Sequence, residues 1–159
     1  MRRSIRTIRV SRFSIKLDVP MLRAALRKHL LQLVASASSL AALAAMLDPD
    51  RVAASMGVFL TGVNGYSQFY AIYVGVRLAT AGLALLAARQ GDQPVLGDIT
   101  ALFVLAQPAG RLVAAVAIGL PQGFLLVVCG MELLGGLTLL ALRPPQTRTA
   151  ADEIRHTKS

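Results

Sequence analysis

Tryptophan is absent from this 159-residue chain, cysteine occurs once, histidine twice, and aromatic residues make up only 5%. One cysteine excludes an internal disulfide framework. His29 sits in a basic segment and His156 near the C-terminus, and neither has a metal-ligand or catalytic companion at useful spacing. Nucleophile-base pairs, metal clusters and phosphate loops are missing too, so neither an enzyme nor a bound metal or cofactor is expected. Acidic residues are scarce, 8 against 17 Lys and Arg, for a formal net charge of +9. What fills the space is apolar: 55% of residues are hydrophobic and the mean hydropathy is +0.59. A soluble domain of this length would need a polar surface that such a composition cannot supply.

Four apolar runs, at residues 30–47, 69–88, 99–120 and 124–142, approach the roughly 20 residues a membrane-spanning helix requires. The expected fold is therefore all-α, an integral membrane four-helix bundle. Basic residues set its orientation. Arg2, Arg3, Arg6, Arg9, Arg12, Lys16, Arg23, Arg27 and Lys28 precede the first run, and Arg143, Arg148, Arg155 and Lys158 follow the last. With Arg89 between the second and third runs, 14 of the 17 basic residues fall on one side, which predicts both termini cytoplasmic and an inner-membrane location. The net charge then reflects attraction to anionic lipid, and a nucleic-acid partner is not expected because no basic module is present.

The chain divides into a basic extension over residues 1–20, a four-helix transmembrane domain over 21–143 and a polar cytoplasmic tail over 144–159. The extension is expected to be disordered, although residues 13–19 alternate apolar with polar in a strand-like way. The run at 30–47 exceeds the apolar core of a secretory signal, so it reads as an uncleaved anchor. Asp48-Pro49-Asp50 should end the first helix. Residues 52–63 are too short to cross twice and should pack at the outer mouth of the bundle, with Asn64-Gly65 as a turn. The connection around Pro121-Gln122 is tight enough to make helices three and four an antiparallel hairpin.

Three charges lie near the middle of the runs: Arg77, Arg111 and Glu132. Each costs about 2.5–3.5 kcal/mol at the centre of a spanning helix, so such residues face the protein interior and find partners. Arg111 and Glu132 stand symmetrically about Pro121-Gln122, each roughly 14 Å below the turn at helical rise. Equal depth, adjacent helices and opposite sign predict an intramembrane ion pair. Arg77 is then left over, at the end of a stripe with Tyr66, Tyr70 and Tyr73 at helical spacing. These four residues are the candidate ligand-binding set, lining an outward-facing cavity between helices two, three and four. Cys129, one turn before Glu132, reads as a small buried hydrophobe. Pro108 and Gly110 place an irregularity in helix three just ahead of Arg111.

Two roles are open. The charges could hold together a structural or accessory membrane subunit, or they could bind or transport a small anionic or quinone-like amphiphile. Met21-Leu22-Arg23 at the membrane entry, Asp48-Pro49, Asn64-Gly65, Tyr73 with Gly75, Arg111 after Gly110, and Glu132 followed by Gly135 together resemble the bacterial four-helix membrane proteins of domain of unknown function 4345. The resemblance covers about residues 21–143 and implies the four-helix fold without implying an activity. Gln68 and Tyr70 replace an acid and an Arg common in that family, and Val74 replaces the first Gly of its Tyr-Gly-Gly. The architecture is also similar to DoxX-like four-helix membrane proteins, a likeness of fold alone.

Overall fold

The computed structural model describes residues 19–91 and 93–144, and within them every regular element is helical. Helix α1 spans Val19–Leu47, α2 is the short Pro49–Ser55, α3 runs continuously over Gly62–Arg89, α4 spans Pro94–Ile118 and α5 Phe124–Ala141. Four of the five, all but α2, are long and apolar enough to cross a membrane. Their outer faces carry large apolar side chains such as Val116, Ile118, Val63 and Val113, each more than 70% exposed. Water would not tolerate that surface, whereas lipid is its natural solvent. The architecture is that of a multi-pass membrane protein.

Helix α1 takes in Val19 and Pro20 ahead of Met21, with proline at a helix start where a missing N–H costs little. Residues 1–18 and 145–159 lie outside the described residues, as does most of the strand-like alternation. The buried face of α1, Arg27, Leu31, Ala35, Ser38, Ala42 and Ala45, recurs every three or four residues. It packs most extensively on the C-terminal half of α3, where Thr80, Ala81, Ala84, Ala87 and Ala88 are buried. Small residues on both faces let the two helices approach closely, which is how helices associate in lipid. Thr80, Thr100 and Thr138 each return their hydroxyl to the carbonyl four residues back, at 2.8, 2.8 and 2.7 Å, so none leaves an unsatisfied donor among apolar neighbours.

At the other end of α1 the chain turns sharply into α2. The Asp48 carboxylate accepts from the Arg51 backbone N–H at 3.0 Å and Pro49 opens the helix, a favourable N-terminus on both counts. Ala45, Ala53 and Phe69 form a small core there, with Val52, Met56, Leu60, Tyr73 and Val74 against it. The Tyr66 hydroxyl donates to Asp50 at 2.7 Å and fixes α2 to the start of α3. Asn64 and Gly65 lie inside α3 rather than in a turn; the reversal falls earlier, where Gly57 and Gly62 have φ of +72° and +62°.

Two further features position the centre of the bundle. Residues Ala71–Val76 of α3 form a π-helical stretch immediately ahead of Arg77. Wide turns of this kind occur mostly as single insertions in helices, frequently at functional sites. The α4–α5 hairpin is closed by Gly119 at φ +97° and Gly123 at φ +58°, on either side of Leu120, Pro121 and Gln122. Below it, a Cβ at Gly136 would fall 2.4 Å from Leu105 Cγ, so the two helices touch through a missing side chain. Helix α4 continues through Pro108, which is fully buried.

Candidate functional site

Glu132 is the hub of the intramembrane charges. Arg77 Nη2 donates to its Oε1 at 2.9 Å, and Arg111 Nη1 donates to Oε2. The same Arg77 nitrogen donates to Gln107 Oε1 at 3.0 Å. Arg77 is thus not left over: one carboxylate bridges two guanidinium groups, because its two oxygens face different helices. Gln107 and Arg111 stand one turn apart on α4 and present their head groups on one face. Three helices, α3, α4 and α5, meet at this cluster. Side-chain exposures of 18%, 18% and 11% for Arg77, Arg111 and Glu132 place it mostly out of solvent. Formal charges sum to +1.

The cluster stands on the wall of a groove of about 440 Å³. Helix α1 forms the opposite wall through Leu30, Val34, Ala37, Ala41 and Ala44, a stripe adjoining its buried face. Val128, Glu132 and Gly135 face it from α5 at one-turn spacing, and Met56, just past the end of α2, lines it along with Phe124. The groove exists because α1 and α5 scarcely touch, whereas the pairs α1–α3, α3–α4 and α4–α5 are well packed. Leu33, Phe124 and Met131 line it and yet are 63%, 61% and 70% exposed, so it is open along the flank of the bundle. The cavity is therefore not confined to the second, third and fourth spans, as the sequence pattern predicts; the first span supplies a whole wall.

Of the aromatic stripe, Tyr73 lines the groove with Arg77 and stacks on Phe69 at 4.7 Å between ring centroids. Tyr70 is exposed outside the groove, edge-on to Phe69, and Tyr66 is held by Asp50. The π-helical stretch separates these residues, since its wider turn breaks the register that α-helical spacing assumes. Cys129 is half-buried and unpaired. No group of three or more His, Cys, Asp or Glu among the described residues is placed to hold a metal.

A second ionic cluster lies at the opposite end of the bundle. Arg27 Nη2 donates to Asp98 Oδ1 at 2.5 Å and to the Pro94 carbonyl at 3.1 Å, and Arg143 Nε meets Asp98 Oδ2 at 3.0 Å. Gly97 makes room for it, since a Cβ there would fall 2.6 Å from Arg27 Nη2. Asp98 thereby joins the N-terminal part of α1, the start of α4 and the end of α5. In the sequence Arg27 and Arg143 stand out only as flanking charge, and Asp98 sits at the edge of an apolar run among residues that do not announce a site.

Neither the curated proteins nor the solved structures offer a significant match to this chain. The profile of the family described as domain of unknown function 4345 matches residues 26–143, the whole of the four-helix core from the Arg27 turn to Arg143, and the chain belongs to that family.

Proposed function

We propose that this protein binds a small anionic amphiphile in the groove between α1 and α5, with its head group at Arg77 and Arg111. One observation carries the reading: a cluster with a formal charge of +1 stands on the wall of an otherwise apolar groove of about 440 Å³. That volume falls in the range of small-molecule sites, roughly 300–1,000 Å³. An uncompensated cation in lipid is expensive, and a single negative head group entering from the flank would neutralise it. Tyr73 and Ser38 add hydroxyls on the same walls. A quinone-like ring would be held differently, by guanidinium donors to its carbonyls. The activity is binding, or transport that begins with it, rather than catalysis, and the setting is a bacterial inner membrane with the α2 end facing outward.

The structural role has an observation of its own. Glu132 bridges both arginines and ties α3, α4 and α5 together. Substituting Arg77 separates the two readings, because Arg111 and Glu132 remain as a neutral pair. Arg77→Leu protein in neutral detergent should keep its fold and lose binding of laurate, while the unchanged protein binds laurate in preference to uncharged methyl laurate. A decyl-quinone competing with equal effect would point to the quinone-like head group. Unfolding of Arg77→Leu, or equal binding of acid and ester, would leave the accessory-subunit role standing.

A further inference from the structure

Arg27 is only 5% exposed, yet just one of its three nitrogens, Nη2, has an acceptor among the described residues. Nε is buried against Gly97 with no hydrogen-bond partner among the described residues. A guanidinium carries five N–H donors, and donors taken out of water without acceptors are costly. Buried arginines are therefore normally surrounded by oxygen. Here the near side supplies it through Asp98 and Pro94, and the far side is a cavity of about 310 Å³ on whose wall Arg27 stands.

The other polar groups of that cavity have a consistent chemistry. Lys28 adds a second cation, and Gln90 and Gln93 add amides. Helix α4 begins at Pro94 on the same wall with no side-chain cap from Gln93, so its N-terminal dipole faces the space. Asp98 does not cancel the field, since Arg143 shares it. Among the described residues the remaining wall is Ala, Gly, Leu and Pro. Two cations, two amides and a positive helix end around a small apolar chamber match a tetrahedral oxyanion with several acceptors.

We propose that this cavity, at the opposite end of the bundle from α2 and separate from the groove, is a phosphate-binding site. The phosphate belongs to a phospholipid head group or is free in solution. Either source presents the same oxygens to Arg27, Lys28 and the start of α4.

The test uses the full chain in neutral detergent, with native mass spectrometry against phosphatidylglycerol and phosphatidylcholine and, in parallel, melting temperatures with inorganic phosphate. Phosphatidylglycerol should be retained preferentially as a single adduct. Lys28→Gln should lower that preference by about fivefold, the factor one cation near a membrane surface contributes. Ala25→Phe, which fills the cavity without removing a charge, should abolish it. Arg23→Gln, an exposed cation outside the cavity, should leave it unchanged. A Lys28-dependent rise in melting temperature with inorganic phosphate, without lipid preference, would assign the same site to free phosphate. Equal retention of both lipids with no response to phosphate overturns the site. So does a preference that survives Lys28→Gln and Ala25→Phe but falls with Arg23→Gln, since that is general attraction to the basic flank.

Discussion

Both oxygens of Glu132 are engaged, one by Arg77 and one by Arg111, and this decides how substitutions there rank. Removing the carboxylate strands two guanidinium groups beside each other in a mostly buried centre. Removing either arginine leaves a neutral pair. Glu132→Gln should therefore cost about 3–5 kcal/mol, the range for an uncompensated buried charge. Arg77→Gln or Arg111→Gln should cost less, about 1.5–3 kcal/mol, the scale of a hydrogen bond to a charged group. Combining Glu132→Gln with Arg77→Gln should cost less than the sum, because the second change relieves the repulsion the first creates. Melting curves in one detergent would measure all four variants against the unaltered protein, and additive shifts would refute the shared hub. Much of this centre was legible in the sequence, since charge is conspicuous in an apolar run and two residues equidistant from a tight turn must share a depth. The third member was not. Whether Arg77 reaches Glu132 depends on how α3 is rotated, and Gln107, neutral and unremarkable in composition, gives no sign that it will receive one of the bonds.

At the level of helices, what a run of apolar residues reveals is length, and the four long helices follow the runs to within a few residues at most ends. Two starts are the exceptions: α1 begins at Val19, eleven residues before the uncharged run, because Arg23, Arg27 and Lys28 are good helix formers whose stems lie along the bundle, and α3 begins at Gly62, seven residues before its run and through Asn64-Gly65. Rotation and close approach are not written in hydropathy. The π-helical stretch Ala71–Val76 has no composition that distinguishes it from α-helix, and it parts Tyr66 and Tyr70, which precede it, from Tyr73 and Arg77, which line the groove. A wide turn holds one residue more than an α-helical one, so deleting Ile72 should restore α-helical spacing while leaving both flanks of α3 facing as they do. Deleting Leu85 instead would rotate one flank by about 100° against α1. The first deletion should retain a cooperative melt and the second should lose it; equal loss would show that the wide turn is required for folding. Close approach is equally specific at the hairpin. Gly136→Ala must displace Leu105 from contact, an overpacking that should cost about 1–3 kcal/mol, readable in the same assay.

The whole molecule has its two ends tied together. Arg27 near the start of α1 and Arg143 beyond the end of α5 grip the same Asp98, so both ends of the described chain lie at one end of the bundle. Four crossings require that arrangement, since an even number returns the chain to its starting side. Which side it is depends on charge. Arg23, Arg27, Lys28, Arg89 and Arg143 cluster at the Asp98 end, whereas the α2 end has Arg51 with Asp48 and Asp50 beside it. Lys and Arg within about 15–20 residues of the spans are retained in the cytoplasm, and acidic residues weigh little against them. Fusions of alkaline phosphatase, active only outside, and of a fluorescent protein that matures only inside should therefore report a cytoplasmic N-terminus and C-terminus, with an insertion after Gly57 reporting the outside. Exchanging Arg23, Lys28, Arg89 and Arg143 for Gln while adding two Lys beside Arg51 should flip a detectable fraction of molecules, since the basic count falls from fourteen against one to ten against three and the bias that holds the orientation is weakened. Phosphatase activity at either terminus of the unaltered chain would reverse the orientation. The groove and its +1 cluster would then be supplied from the cytoplasmic leaflet, and the phosphate cavity at Arg27 would face the outer one.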